Sequence, residues 1–274
     1  MNLQVIAYPI HEIGQRPNQE DSLYPSLGEP PFKGPLFILC DGMGGHAAGE
    51  VASQAVCTAM SDYILSHPEE DGRFDETVFA KALEQAYAAL DAKDTDDEKK
   101  MGTTLAFAMF HPGGCFVAHI GDSRVYHIRP SDKQVLFVTK DHSLVNELIA
   151  LGEMTPVEAK TSRQKNVITR AIQPHQDGPA KADWVNLSDL KAGDYIYLCS
   201  DGMLEQMEDR ELVETLSSRE TDPEKIISLK DVTKDNRDNH SAWLIRIVST
   251  KAGKEERGKR GFLHFILETL HFVE

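Results

Sequence analysis

The stretch LFILCDGMGG (residues 36–45) is an apolar, strand-like run that ends in an acidic residue and a glycine-rich segment. The stretch YIYLCSDG (residues 195–202) repeats this arrangement, with Asp201 and Gly202 after a second apolar run. A carboxylate at the end of a buried strand is costly to desolvate unless it is paired or coordinates a cation. Both stretches therefore predict a strand that ends in a carboxylate suited to holding a metal ion.

Two more acidic clusters lie far from these runs in the sequence. Glu20 and Asp21 follow Arg16 in the segment RPNQEDS (residues 16–22), and Asp238 lies in the segment RDN (residues 237–239). Carboxylate, carbonyl and water oxygens suit Mg²⁺ and Mn²⁺ rather than Zn²⁺. Several such carboxylates with a basic residue at their edge indicate a hard-metal site that handles an anion.

A single Asp–Gly pair is usually a turn, but here six motifs occur in one order. They are Arg16 with Glu20-Asp21, Asp41-Gly42-Met43-Gly44-Gly45, Gly102-Thr103-Thr104, Gly121-Asp122-Ser123-Arg124, Ser200-Asp201-Gly202 and Asp238-Asn239. Over residues 3–248 the chain resembles the metal-dependent Ser/Thr protein phosphatases of the PPM (type 2C) class, and in particular the bacterial branch. The resemblance implies an α+β fold, a four-layer αββα sandwich with two antiparallel β-sheets packed face to face and flanking helix pairs.

The hydrophobic pattern independently favours an α+β fold. Apolar residues at helical spacing predict two amphipathic helices over residues 50–66 and 75–93. Segments rich in β-branched and aromatic residues predict strands; they cover residues 36–40, 103–110, 115–120, 124–128, 134–138, 195–199 and 242–248. Shorter helices are predicted over residues 143–151, 209–218 and 223–230. Blocks of strands that are separate from blocks of helices argue against alternating βαβ units.

Two glycine-containing segments predict tight hairpin connections. They are Pro112-Gly113-Gly114 and Gly121-Asp122-Ser123. The second segment leaves two roles open for Asp122, because Asp commonly caps such a turn, whereas the resemblance implies a ligand of a third, weaker metal.

The resemblance also implies the other site residues. Asp41 would bridge two metal ions, the Gly42 carbonyl would bind the first, and Asp201 and Asp238 would bind the second. Glu20 and Asp21 would act mostly through bound waters. The ions would be Mn²⁺ or Mg²⁺, two in number with a possible third. The residues expected to carry catalysis are Arg16, Asp41, Asp201 and Asp238.

The implied reaction is metal-dependent hydrolysis of phosphoserine and phosphothreonine in proteins. A water or hydroxide that bridges the two metals would attack phosphorus, and the planar fork of Arg16 would bind the phosphate. Two alternatives stay open: a regulatory or binding module of the same fold with little turnover, and a phosphatase that acts on a small phosphate ester or in cyclic-nucleotide signalling.

Composition narrows the class of partner. The chain has 274 residues and a formal net charge of −15, which disfavours a nucleic-acid partner. The expected partners are phosphorylated proteins, in opposition to a Ser/Thr kinase. Without a CxxC pair, the four cysteines, Cys40, Cys57, Cys115 and Cys199, predict reduced core thiols. No signal peptide or membrane-spanning run is visible, so a cytoplasmic location is expected.

The chain divides into a phosphatase domain over residues 1–250 and a tail over residues 251–274. Residues 140–176 break the strand pattern and match in position a flap beside the active site of the bacterial relatives. The composition of the tail predicts a basic linker followed by a short apolar helix. That helix could dock on the parent domain or a self-copy, bind a partner, or place the protein peripherally on an anionic membrane surface.

Overall fold

The two apolar runs that end in Asp–Gly lie in different β-sheets. We describe a computed structural model of the chain over residues 2–44, 48–68, 72–94 and 100–251. The strands in this part of the chain are β1 (Asn2–Glu12), β2 (Asp21–Tyr24), β3 (Leu36–Met43), β4 (Gly102–Thr103), β5 (Leu105–His111), β6 (Gly114–Ile120), β7 (Arg124–Arg129), β8 (Gln134–Val138), β9 (Asp183–Leu187), β10 (Tyr195–Cys199) and β11 (His240–Lys251).

The strands form two antiparallel sheets. The first sheet has the order β1-β11-β10-β7-β8, and the second has the order β2-β3-β5-β6-β9, with β4 paired to β3. Strand β10 of the first sheet carries the run before Asp201, and β3 of the second sheet carries the run before Asp41. Because the sheets pack face to face, the two acidic residues can approach each other only across the sandwich.

The described part of the chain contains six α-helices, four of which form two pairs on the outer faces of the sheets. The six helices are α1 (Ala48–Ser66), α2 (Glu76–Asp91), α3 (Leu144–Ala150), α4 (Pro156–Thr161), α5 (Asp209–Leu216) and α6 (Asp222–Thr233), together with a short 3-10 helix over Asp201–Leu204. Three apolar clusters separate the layers. One joins α1 and α2 to the second sheet, one fills the space between the sheets, and one joins the first sheet to α5 and α6. This is the αββα sandwich predicted from the sequence.

Local signals explain where the outer helices begin. The Asp75 carboxylate accepts hydrogen bonds from the backbone N–H groups of Thr77 and Val78, which caps α2. Thr221 and Glu224 form a reciprocal capping box at the start of α6. One apolar face of α2, from Val78 to Leu90, is buried, as its helical spacing requires.

One predicted connection is wrong. The segment Gly121-Asp122-Ser123 does not close a hairpin, because β6 belongs to the second sheet and β7 to the first. The chain crosses between the sheets there, so Asp122 lies at their seam with 9% exposure rather than at a hairpin tip. By contrast, β5 and β6 pair antiparallel around the predicted turn at residues 112–114.

Other elements differ in extent or were not predicted. The predicted strand 103–110 is interrupted between β4 and β5, where the Thr104 N–H donates to the Asp41 carbonyl (2.9 Å). Strands β1, β2 and β9 and the helix α4 were missed. The alternation of Leu3, Val5 and Ala7 toward the inter-sheet core was the available signal for β1.

All four cysteines are free and buried, as predicted. None of the helices in the described part of the chain is long and apolar enough to cross a membrane. The predicted basic linker and apolar helix of the tail lie outside the described residues, apart from Lys251 at the end of β11.

Candidate metal centre

The predicted acidic residues converge at one end of the sandwich. Asp21 and Asp41 lie directly opposite each other in the β2–β3 pair. Asp201 begins the short 3-10 helix after β10, and Asp238 lies just before β11. Asp41 lies close enough to Asp21, Asp201, Asp122 and Asp238 for the carboxylates to repel one another electrostatically. We call Glu20, Asp21, Asp41, Asp122, Asp201 and Asp238 the carboxylate cluster.

Burial and mutual repulsion raise the pKa values of four aspartates in the carboxylate cluster, Asp21, Asp41, Asp122 and Asp201. Burial is the main cause that raises the pKa of Asp21 to about 7, and Asp201 and Asp238 add to it against hydrogen bonds from Ser241 and Ser200. Burial, followed by repulsion from Asp201, likewise raises the pKa of Asp122 to about 7. The pKa values of Asp41 and Asp201 are also raised, chiefly by burial. A positive charge placed among these groups would therefore be strongly stabilised.

Two oxygen atoms of the cluster are buried without a partner. Neither Oδ1 of Asp21 nor Oδ1 of Asp122 has a hydrogen-bond partner among the described residues. A buried acceptor without a partner is costly, and a hard divalent cation is the ligand that carboxylate oxygens prefer. The donor set of the carboxylate cluster therefore fits divalent metal ions.

The backbone of Asp41 is held by two threonine side chains from the β4–β5 region. The Asp41 N–H donates to Oγ1 of Thr104 (3.0 Å), and Oγ1 of Thr103 donates to the Asp41 carbonyl (2.9 Å). Thr104 also shares a hydrogen bond with the Ser123 hydroxyl (2.7 Å), next to Asp122. These contacts give the Gly102-Thr103-Thr104 motif a positioning role that its sequence did not reveal.

Gly42 lies where no side chain fits. A Cβ atom at this position would lie 2.1 Å from the carbonyl oxygen of Gly49 and 2.6 Å from that of Glu20. The Gly42 N–H donates to the Glu20 carbonyl (3.1 Å), so β3, the start of α1 and the Glu20 segment meet here. The close approach explains the glycine after Asp41.

Arg16 lies at the edge of the carboxylate cluster. Its Nη2 atom contacts Oδ2 of Asp238 at 2.7 Å, and its side chain is 53% exposed. The guanidinium is thus oriented by one carboxylate while its remaining N–H groups are available to an anion.

The Asn239 side chain holds the segment around Arg16 (residues 13–20) next to Asp238 through hydrogen bonds. Its Nδ2 atom donates to the carbonyls of Ile13 (2.8 Å) and Asn18 (2.9 Å), and its Oδ1 accepts from the Glu20 N–H (2.8 Å). Gly14, at φ +62°, allows the close approach, since a Cβ there would lie 2.1 Å from the Asp238 carbonyl oxygen. Asn239 belongs to a motif visible in the sequence, but this role follows only from its contacts in the fold.

Ser200 joins the two sheets beneath the cluster. Its hydroxyl donates to Oδ2 of Asp21 (3.0 Å) and accepts from the Ser241 N–H (3.0 Å). The contact links β2 of the second sheet with β10 and β11 of the first. It fixes one Asp21 oxygen and leaves the other free for a ligand.

A second group of potential ligands lies beside the cluster but does not suit a metal. Side-chain atoms of His119, His142 and Asp183 lie within 4.8 Å of one another. The Gly121 N–H donates to Nδ1 of His142 (3.1 Å), which leaves the ring proton on Nε2, facing Asp183 (3.2 Å). The guanidinium of Arg170 already lies 3.2 Å from both groups. This group instead ties residues 140–176 to the Gly121–Asp122 turn, as does a hydrogen bond from the His142 N–H to the Gly121 carbonyl (2.9 Å).

The arrangement agrees with the comparisons to known proteins. A family model described as Protein phosphatase 2C matches residues 11–249. The serine/threonine protein phosphatase PstP of Mycobacterium tuberculosis is 37% identical over 203 residues, which cover 73% of this chain and 36% of that protein. The serine/threonine phosphatase stp of Listeria monocytogenes is 32% identical over 230 residues, covering 81% and 88%. The chain thus spans about a third of the first relative and most of the second.

Solved structures show the same fold. The M. tuberculosis phosphatase PstP/Ppp superposes with a TM-score of 0.76 at 32% identity, covering 90% of this chain and 100% of that one. The catalytic domain of PstP in complex with two manganese ions gives a TM-score of 0.73 at 30% identity, with the same coverage of 90% and 100%. The chain belongs to the protein phosphatase 2C family, and the relatives named here are bacterial Ser/Thr phosphatases.

Proposed function

We propose that this chain hydrolyses phosphoserine and phosphothreonine in proteins with the help of divalent cations held by the carboxylate cluster. The observation that carries the proposal is the convergence of buried carboxylates with raised pKa values and two unpartnered oxygens beside an oriented arginine. An ordinary turn or surface acidic patch would not bury Asp21 to 4% exposure without a compensating ligand.

The metal-holding residues are those of the carboxylate cluster. Asp41, Asp201 and Asp238 and the Gly42 carbonyl bind the ions, while Glu20 and Asp21 orient bound waters. Mn²⁺ or Mg²⁺ fits this all-oxygen set, and the two manganese ions in the PstP catalytic domain support a pair of ions here. Asp122 is the residue for a third ion. Such ions lower the pKa of bound water and so supply a nucleophile near neutral pH.

Arg16 binds and orients the phosphate. Its contact with Asp238 holds the side chain in place before substrate arrives, so less conformational entropy is lost on binding. A guanidinium donates two parallel hydrogen bonds to phosphate oxygens, and it offsets the charge that builds up on them during hydrolysis.

The protein acts on phosphorylated proteins and opposes a Ser/Thr kinase, as we infer from the substrate class named for its relatives. A cytoplasmic location agrees with this role. Docking of the tail on the domain, a partner or a membrane surface stays a prediction. Co-sedimentation of the full chain with anionic vesicles tests the membrane alternative, and absence from the pellet would exclude it.

Hydrolysis of a phosphothreonine peptide with Mn²⁺, with Mg²⁺ and with chelator tests the proposed activity, with Asp201→Asn measured beside the wild type. We expect metal-dependent turnover that the substitution abolishes. A folded wild type that binds Mn²⁺ but turns over no peptide would instead indicate a binding module. A panel that includes small phosphate esters would show whether one of these is preferred over the peptide.

A further inference from the structure

A cleft of about 400 Å³ opens beside the carboxylate cluster. Met43, Arg170, Gln173, Gln176 and Lys181 lie in its wall. Met43 is two residues beyond Asp41 on β3. A strand rises about 3.3 Å per residue, so the cleft begins about 7 Å along the strand from the central carboxylate.

The far wall of the cleft is anchored to the body of the domain. The backbones of Thr103 and Ile172 exchange two hydrogen bonds of 2.9 Å. The Tyr87 hydroxyl of α2 donates to Oε1 of Gln176 (2.9 Å) and accepts from the Ala180 N–H (2.7 Å). A peptide in the cleft would therefore meet a wall held by several hydrogen bonds rather than a free loop.

The charge of this wall is opposite to that of the chain. The whole protein has 29 basic and 44 acidic residues, whereas the described residues that line the cleft include two basic residues, Arg170 and Lys181, and no acidic residue. Asp183 offsets Arg170 at 3.2 Å. Lys181 is exposed, and among the described residues its ammonium group makes no ion pair. The cleft thus carries a cation that has no carboxylate partner in the described part of the chain.

We propose that this cleft binds an acidic side chain of the phosphoprotein substrate, two or three residues away from the phosphorylated serine or threonine. An extended peptide advances about 3.3 Å per residue, so two to three residues cover about 7–10 Å. The Lys181 ammonium attracts the substrate carboxylate, and the carboxylate cluster, which carries its own cations in the active enzyme, receives the phosphate. The inference rests on the proposed function and adds a substrate class to it, namely acidic phosphopeptides.

The test compares three phosphothreonine peptides that differ only at the second and third positions on each side of the phosphothreonine, which carry Asp, Asn or Lys. Each is assayed with the wild type, Lys181→Glu and Lys133→Glu, and p-nitrophenyl phosphate serves as a substrate too small to reach the cleft. Lys133 is the matched control because it is an exposed lysine in the β7–β8 turn of the first sheet.

We expect the wild type to prefer the Asp peptide over the Asn peptide by about tenfold in kcat/KM, mostly through KM, since like and opposite charges at a binding surface change affinity on this scale. Lys181→Glu should abolish or invert the preference, Lys133→Glu should keep it, and all three proteins should hydrolyse p-nitrophenyl phosphate equally.

Equal kcat/KM for the Asp and Asn peptides in the wild type would overturn the inference, and so would a preference that survives Lys181→Glu or is lost equally in Lys133→Glu. If no protein hydrolyses any substrate, the proposed function fails. Fluorescence anisotropy with labelled Asp and Asn peptides then tests peptide binding by the cleft independently of catalysis. Preferential binding of the Asp peptide that Lys181→Glu removes would support the acidic-side-chain site, and equal binding of the two peptides would exclude it.

Discussion

The protein buries carboxylates in two regions, and their hydrogen-bond partners and pKa shifts differ in opposite directions. Asp194, 2% exposed, accepts hydrogen bonds from Arg129 (2.9 and 3.0 Å), from His127 (2.9 Å) and from the Lys191 N–H (2.9 Å). Burial opposes its ionisation, but the bonds from His127 and Arg129 lower its pKa to about 2. Asp21, 4% exposed, has one bonded and one unpartnered oxygen, and its pKa is raised to about 7.

The difference separates a carboxylate that the chain itself compensates from one that fits the proposed metal site. At Asp194 the chain supplies its own cation and donors, so the charge is compensated when the protein folds. In the carboxylate cluster, Arg16 lies only at the edge, and most of the negative charge has no protein partner. A region that leaves buried charge uncompensated is suited to binding cations from outside the chain.

The largest expected effect comes from removing one charge in the carboxylate cluster. Asp41→Asn should lower peptide turnover by about a thousandfold or more, on the scale of losing a principal electrostatic group in an active site. In chelator its stability should equal or exceed that of the wild type, because a charge that Asp21, Asp201 and Asp122 repel has been removed. Peptide turnover at saturating Mn²⁺ measures the loss of activity, and urea unfolding in EDTA measures the change in stability. A variant that keeps a tenth of wild-type turnover would contradict the role of Asp41.

The reciprocal substitution tests the structural carboxylate. Asp194→Asn should lower the free energy of unfolding by about 3–5 kcal/mol, since it removes the buried carboxylate partner of Arg129 and leaves only the exposed Asp189 as its counter-charge. Turnover per folded molecule should stay within about twofold, because neither Asp194 nor Arg129 touches the carboxylate cluster. The matched control is Asp189→Asn, whose side chain is 76% exposed and also contacts Arg129 (3.1 Å). It should cost less than about 1 kcal/mol.

The stability difference between the wild type and Asp194→Asn should depend on pH. A carboxyl group whose folded pKa is lowered stabilises the protein above its unfolded pKa of about 3.9, and this contribution is lost as the pH falls toward the folded value of about 2. The stability difference between wild type and Asp194→Asn should therefore narrow between about pH 5 and about pH 3. A constant difference across this range would show that the ionised Asp194 is not its source.

Metal addition should affect only one of the two regions. A ligand that binds the native state at a hundred times its Kd stabilises it by about 2.7 kcal/mol. Mn²⁺ should therefore raise the unfolding free energy of the wild type and of Asp194→Asn by equal amounts, and that of Asp41→Asn by much less. Equal gains in all three proteins would place the bound metal elsewhere.

A smaller effect is expected from the residue that fastens the Arg16 segment. Asn239→Ala removes three hydrogen bonds to that segment and should lower kcat/KM by roughly 10- to 100-fold, as is usual for groups that orient ligands of a metal site. Asn239→Asp keeps the acceptor for the Glu20 N–H but loses both donors, so its loss should be intermediate. An unchanged KM for phosphopeptide in both variants would show that Asn239 does not position Arg16.

Much of the molecule could be predicted from the sequence because its signals are local. The spacing of Val78 to Leu90 predicts α2, and the runs before Asp41 and Asp201 predict β3 and β10, because period and composition report burial directly. Strand β9 was missed because it is a short edge strand: Trp184 is 45% exposed, and only Val185 and Leu187 alternate toward the inter-sheet core, where both are partly buried. The Gly121-Asp122-Ser123 connection was predicted wrongly because hairpins and sheet crossings share the same turn residues.

The sequence by itself determined the family, the sandwich and the identity of the acidic residues, since these follow from ordered motifs and hydrophobic period. Tertiary structure alone decided which partners each residue has. It placed Asp122 at the seam of the sheets, gave Asp194 its Arg129 and left Asp21 with a free oxygen. It also set Lys181 in a cleft beside Met43. Burial and charge compensation depend on contacts between residues far apart in the chain, and one-dimensional spacing does not record those contacts.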